Sequence, residues 1–172
     1  IEGLTNDVGP SDQPFSKVSS INIQTVKNFV KNPFTETAYF DFEHFSQVAA
    51  NAMRLSDDLV ELEIEKLDNI IKACDTSDEV ELWENLKTAC VNGRRTGLGT
   101  HGLADALACL SLAYDSEEAI KIIDNIYTTL KTSAYTESAA LAKERGAFPV
   151  FDWDKEKDNA FIKSLPKSVQ DL

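Results

Sequence analysis

Gly97-Leu98-Gly99-Thr100-His101-Gly102 decides how this chain is to be read. It spells G-x-G-x-x-G. In a dinucleotide-binding fold that pattern follows a buried strand, opens a helix, and is answered by an acidic residue on a second strand about 20 residues on. The surroundings here differ. Before it stands Cys90-Val91-Asn92-Gly93-Arg94-Arg95, polar and turn-like, and after it come two helical patterns in succession with no strand between them. The glycines therefore read as permitting a tight turn and close packing of helix on strand. Arg94 to Gly99 reads as a short linker. A stand-alone nucleotide-binding role for Gly97–Gly102 is the weakest of three functional readings developed below.

Upstream of this stretch the pattern is helical. From Asp41, the residues Phe42, Phe45, Ala49, Ala52, Leu55, Leu59 and Leu62 recur every three or four positions, which places them on one stripe. Asp41 suits an N-cap, because its carboxylate can accept from free backbone N–H groups. Ile64, Leu67, Ile70 and Ile71 continue the pattern to Cys74. Asp75-Thr76-Ser77 interrupts it. Thr76 and Glu79 have capping-box spacing, and Val80, Leu82, Trp83 and Leu86 follow as a further helix that Asn92-Gly93 ends.

Downstream, Leu103, Leu107 and Leu110 predict a helix at about 100–112. Asp115-Ser116 starts another, carried by Ala119, Ile122, Ile123, Ile126, Leu130, Ala134 and Ala139 to about Arg145, with Gly146 as its stop. Phe148-Pro149-Val150-Phe151 reads as a short extended apolar piece. Residues 155–165 read as a last short helix, followed by a tail at 166–172. At the other end, residues 1–15 are polar and broken by Gly3, Gly9, Pro10 and Pro14, which reads as a loop. Ser16 to Ile23 alternates as a short strand, and Asn32-Pro33 stops any helix begun at Thr25–Val30. The fold class expected is mainly α with two or three short strands. So few strands cannot make a sheet alone, and an unpaired strand needs partners for its N–H and C=O groups. That points to a piece that packs against something else.

Composition narrows the function classes. The 172 residues suit one domain. With 29 acidic and 17 basic residues the net charge is −12, which disfavours nucleic acid and anionic membrane surfaces as partners. No apolar run approaches the roughly 20 residues of a membrane helix. Ile1-Glu2-Gly3-Leu4 lacks a basic region and an apolar core, and three cysteines without zinc-type spacing read as free thiols. A cytoplasmic setting is expected.

The candidate chemistry is sparse. Arg94-Arg95 is the only adjacent basic pair; it could grip a phosphate or carboxylate, or make structural ion pairs. His101 lies at a helix start, where proton transfer or simple surface exposure are both open. His44 reads as solvated. The acidic runs Asp57-Asp58, Glu61, Glu63, Glu65 and Asp78-Glu79-Glu81-Glu84 read as solvated faces, since no Glu-x-x-His spacing supports a carboxylate di-metal site. No metal is expected. Cys74 and Cys109 lie near apolar stripes and read as small core residues.

Several blocks together resemble one family. Gly93 to Leu107 (GRRTGLGTHGLADAL) is similar to a signature of the large, catalytic chain of ribonucleotide reductases. Tyr114-Asp115-Ser116-Glu117-Glu118-Ala119 and Ala142-Lys143-Glu144-Arg145-Gly146-Ala147-Phe148-Pro149 resemble it in the same order. Ala52-Met53-Arg54-Leu55-Ser56-Asp57-Asp58 and Asp152-Trp153-Asp154-Lys155-Glu156-Lys157-Asp158-Asn159 resemble the adenosylcobalamin-dependent branch. The likeness runs from about Ser16 to Leu165. It implies part of a ten-stranded α/β barrel, with 16–165 as a partial barrel segment and 1–15 as a cut or degenerate active-site loop.

In that family a central loop carries an Asn-x-Cys-x-Glu arrangement whose cysteine becomes a thiyl radical, and two further cysteines supply reducing equivalents. The resemblance puts Gly3, Thr5 and Asp7 at the asparagine, cysteine and glutamate positions, with Glu2 as an alternative for the carboxylate. It puts Ser16 where the second redox cysteine stands. A hydroxyl cannot make a sulfur radical and serine cannot form a disulfide. No catalytic residue is therefore assigned in this chain. The first expectation is a fragment or split-gene piece of the catalytic chain, inactive alone. Its partners would be the remaining reductase segments or further copies of itself, with adenosylcobalamin used only by the complete enzyme. The second is a non-catalytic homologue acting as a helical protein-interaction module.

Overall fold

The computed structural model describes residues 19–23 and 26–172. Ser19–Ile23 forms strand β1, followed by a 3-10 turn at Val26–Phe29. Strands β2 (Val30–Lys31) and β3 (Tyr39–Phe40) pair antiparallel as a small hairpin. The expectation that Asn32-Pro33 stops a helix thus becomes a 3-10 turn leading into a hairpin. Asn32 and Phe34 take left-handed φ values of 49° and 63° in its loop, and the Phe34 N–H reaches the Cys109 carbonyl at 2.8 Å.

Helix α1 spans Phe42–Ala73 and α2 spans Ser77–Gly93. Their starts follow the expected chemistry: the Asp41 carboxylate accepts from the His44 N–H at 3.0 Å, and the Thr76 hydroxyl accepts from the Glu79 N–H at 3.3 Å. Strand β4, Thr96–Thr100, comes next, then α3 (Leu103–Cys109) and α4 (Glu117–Arg145). Ser116 caps α4 by accepting from the Ala119 N–H, and Gly146 ends it. Short helices α5 (Trp153–Glu156), α6 (Ala160–Lys163) and α7 (Lys167–Gln170) complete the chain. The molecule is mainly helical with few short strands, as the periodicity predicts.

Four local readings are corrected. Most of the Arg94–Gly99 linker is in fact strand β4, which runs from Thr96 to Thr100. It pairs in parallel with β1, Ser19 opposite Thr96 and Ile23 opposite Thr100. Two glycines in five residues lower local strand propensity, so the pairing that satisfies the backbone is invisible to a local pattern. The lone strand therefore has a partner inside the chain. Phe148–Phe151 is a turn rather than an extended piece: the Phe151 N–H bonds the Phe148 carbonyl at 2.9 Å, with Pro149 fixing φ at the second position. The helix expected at 155–165 is two short ones, because Asn159 caps a new start by accepting from the Phe161 N–H at 2.9 Å.

The fourth correction concerns the α1 stripe. Phe45, Ala49 and Ala52 are buried, but Leu55 and Leu62 are 52% and 49% exposed. The buried line continues instead through Ser56, Val60 and Leu67. Residues 55 and 56 differ by 100° around the helix, so a step of four rather than three after Ala52 moves the core to the next flank. There Val60 and Leu67 meet Cys90, Trp83 and Leu86 of α2.

The main core joins the Phe29, Phe40 and Phe45 rings, 5.0–6.1 Å apart, to α1, α4 and β4 through Ala49, Ile126, Leu130 and Leu98. Phe29–Phe45 and Phe40–Phe45 are edge-on, and ring pairs of that kind add about 0.5–1.5 kcal/mol beyond their burial. Small residues let α1 and α4 approach closely, and Ser46 and Ser133 share a hydrogen bond across them at 2.8 Å.

Candidate functional site

The parallel pair β1–β4 is the feature on which a site can be built. Both strands lie against α1. On β4, the Thr96 hydroxyl donates toward the Met53 sulfur at 3.8 Å, Leu98 is buried in the core, and the Thr100 hydroxyl lies 3.1 Å from the Tyr127 hydroxyl of α4. These alternate residues fix the strand on the helical layer. At its end the Val26 N–H bonds the His101 carbonyl at 2.9 Å. Gly102 then takes φ +74° to start α3, a left-handed conformation that glycine adopts without steric cost.

A network of ion pairs holds the strand's other end. Arg94 caps α2 in the left-handed region at φ 40°. Its Nε and Nη2 donate to Asp57 Oδ1 at 2.9 and 2.7 Å, and it also reaches Glu61. Arg145, at the end of α4, donates to Asp57 Oδ2 at 2.6 Å and Asp58 Oδ1 at 2.7 Å. Arg54 bonds Glu137 at 2.7 Å and Glu144 at 3.2 and 2.9 Å. One edge of α1 thus fastens both the α2–β4 junction and the last turns of α4.

The electrostatics follow from these contacts. Hydrogen bonds from Arg54 hold the Glu144 carboxyl below the ordinary glutamate range, against a smaller opposing push from burial. The same bonds, to Glu144 and Glu137, raise the Arg54 guanidinium. Bonds to Asp58 and Asp57 raise Arg145. Burial alone would lower Arg94, but its bonds to Glu61 and Asp57 leave it raised. All three arginines therefore stay charged.

This resolves several sequence expectations. Of the alternatives for Arg94, the structural ion pair is the one realised. Arg95 lies over Gly93, its side-chain carbon 3.6 Å from where a Cβ would stand. Asp57 is corrected outright: read as part of a solvated face, it is only 9% exposed and sits between two arginines. The signal was present in the spacing, since Arg54, Asp57, Asp58 and Glu61 share one edge of a helix. His101 is exposed. His44 is exposed too, with its ring edge-on to Phe29 at 5.2 Å. None of the three cysteines is in a disulfide; Cys90 is the buried one, whereas Cys74 and Cys109 are half-buried. Burial, with Glu79 and Asp75 nearby, pushes the Cys74 thiol up, which makes it a poor nucleophile.

Among the described residues no group of three or more His, Cys, Asp or Glu is placed to hold a metal ion, and no helix is long and apolar enough to cross a membrane. A shallow cavity of about 580 Å³ is lined by Pro149 to Lys155. It is formed by one contiguous segment, and the Asp152 carboxyl beside Lys155 in it is held below the usual range by that lysine. Gly3, Thr5, Asp7 and Ser16, the loop and redox positions suggested by resemblance, lie outside the described residues.

Comparison with known proteins gives a consistent answer. The family model "Ribonucleotide reductase, barrel domain" matches residues 10–168. A vitamin B12-dependent ribonucleoside-diphosphate reductase of Mycobacterium tuberculosis is 33% identical over 127 residues, 74% of this chain and 15% of the relative. Its counterpart in Thermoplasma acidophilum is 26% identical over 155 residues, 88% of this chain and 18% of the relative. The ribonucleoside-diphosphate reductase large subunit of Ostreid herpesvirus 1 is 28% identical over 153 residues, 81% and 18%. The chain thus spans less than a fifth of the length of these relatives.

Proposed function

The chain belongs to the ribonucleotide reductase family, as a member of its barrel domain, and from that premise we propose that it forms part of a reductase barrel. On this reading β1 and β4 are two adjacent parallel staves, and α1, α2 and α4 are the helical layer outside them. The observation that carries it is the in-register parallel pairing of β1 with β4 across a crossover that holds the β2–β3 hairpin and helices α1 and α2. Parallel strands need such crossovers, and all-parallel sheets are found with both faces covered. Two staves with helices on one side are what a segment of a closed barrel presents.

The reaction proposed for the complete assembly is replacement of the ribose 2′-hydroxyl by hydrogen. The substrate class is ribonucleoside diphosphates, the class in the relatives' names. Adenosylcobalamin is the radical source proposed for that assembly, since two of these relatives are vitamin B12-dependent. The residues described here do not fit a corrinoid. The hollow at Pro149–Lys155 is open, lined by a single segment, and carries two aspartates. No chemical step is assigned to this chain's described residues, and their role is to hold two staves in register.

The test is a graft. Residues 19–168 of this chain replace their matching span in the M. tuberculosis relative, which keeps its own residues at the loop and redox positions, and the product is assayed for cooperative unfolding and deoxyribonucleotide formation with added cofactor. A folded, active graft supports the reading. A graft that fails to fold where the parent does refutes it. The second reading, a non-catalytic helical interaction module, draws on the residue types at Gly3, Thr5, Asp7 and Ser16. It predicts a graft that folds and, with the relative's own loop retained, forms no product.

A further inference from the structure

Two separate junctions of this fold share one acceptor. Arg94 stands where α2 passes into β4, and Arg145 stands at the exit of α4. Oδ1 of Asp57 accepts from Arg94 at 2.7 and 2.9 Å, and Oδ2 accepts from Arg145 at 2.6 Å. Neither arginine depends on that carboxylate alone. Arg94 also donates to Glu61, and Arg145 to Asp58. The Asp57 side chain is 13% exposed, whereas those of Glu61 and Asp58 are 54% and 50% exposed. Each arginine thus has a second resting place nearer to water. The two junctions also lie close together, since the Val150 N–H in the turn after α4 bonds the Asn92 carbonyl near the end of α2 at 3.3 Å.

A plain cross-link would tie both junctions to α1, and loss of any member would loosen the whole. The charges give the opposite sign. Two guanidinium groups on one carboxylate are like charges at close range, and they repel each other. When one moves away to its exposed partner, the other is relieved of that repulsion and keeps the whole carboxylate. A sheltered carboxylate without a partner is costly, so the arginine that stays becomes harder to remove.

We propose that Asp57 is a shared latch for which the two junctions compete: local opening of either one tightens the other. The device lets the entry of β4 and the turn after α4 loosen in alternation while α1 keeps hold of the fold. It belongs to the helical layer and stands whether or not the chain is part of a barrel.

Amide hydrogen exchange of the 172-residue chain, followed residue by residue by NMR, tests the sign of this coupling. In Arg145→Met the Arg94 N–H, bonded to the Cys90 carbonyl at 3.0 Å, should exchange about fivefold more slowly than in the parent protein. In Arg94→Met the Gly146 N–H, bonded to the Ala142 carbonyl at 2.9 Å, should slow by a similar factor. Methionine keeps an apolar stem and removes the charge and the donors. Asp57→Asn, with no charge and one acceptor oxygen in place of two, should speed both amides. Slower exchange at the far junction is an outcome that plain cross-linking does not produce. Unchanged or faster exchange there in either arginine variant would overturn the latch. Should those variants not fold, Glu61→Gln and Asp58→Asn at exposed positions carry the test. Without Glu61, Arg94 leans wholly on Asp57, and the Gly146 amide should exchange about twofold faster. Asp58→Asn should do the same to the Arg94 amide. Unchanged far amides in that pair would equally overturn the proposal.

Discussion

Asp57 should be the most costly single carboxylate to remove from this protein. It is 9% exposed, and its two oxygens accept from Arg94 at 2.7 and 2.9 Å and from Arg145 at 2.6 Å. The Arg94 and Arg145 side chains are 20% and 31% exposed, and in Asp57→Ala both lose their shared partner. Breaking a buried pair by removing one member costs about 3–5 kcal/mol. Here each arginine keeps a second acceptor, Glu61 or Asp58, and those side chains are 54% and 50% exposed. The loss should therefore be cut to about 2–3 kcal/mol. Removing one of the exposed partners, in Glu61→Ala or Asp58→Ala, should cost about 1 kcal/mol or less. Urea unfolding followed by far-UV circular dichroism measures the difference. With a slope of about 1.5–2 kcal/mol per molar, Asp57→Ala should lower the midpoint by roughly 1–2 M. High salt separates the classes further. At 1 M NaCl the small effects of Glu61 and Asp58 should vanish, while most of the Asp57 effect persists, because buried pairs are screened less. Equal midpoints for Asp57→Ala and Asp58→Ala would refute the argument that burial and sharing make Asp57 different.

Glu144 gives a pH dependence. Its folded-state pKa is lowered by Arg54, so its contribution is fully present above the ordinary glutamate value of 4.5 and is lost as pH falls through the lower folded value. Glu144→Gln should flatten the loss of stability below about pH 4.3 in an acid titration, and leave its slope above pH 6 unchanged. Phe45 is fully buried among Phe29 and Phe40, so Phe45→Ala should cost about 3–5 kcal/mol in the same urea assay. Leu55→Ala, at an exposed position on the same helix, should change stability by no more than about 0.5 kcal/mol. Gly102→Ala puts a Cβ at φ +74° and should lower stability by about 1 kcal/mol or more, read as a shift in melting temperature.

The sequence by itself determined the helices α1 to α4 and the family. Local rules suffice for a helix, because its hydrogen bonds close within four residues and its caps act within the first turn. Asp41, Thr76, Ser116 and Gly146 therefore marked true boundaries. The ordered blocks from Ala52 to Asn159 carried the kinship for a related reason: residues that hold one framework recur at fixed spacing. Only the tertiary structure turned a glycine-rich linker into β4, since a strand is completed by hydrogen bonds to a partner more than 70 residues away. It alone placed Asp57 between Arg94 and Arg145. Whether a carboxylate is solvated or buried depends on what docks against it, and here the docking groups sit on the ends of two other elements. The same cause moved the core from Leu55 to Ser56, because helical periodicity names an apolar arc while neighbouring helices choose which part of it is covered.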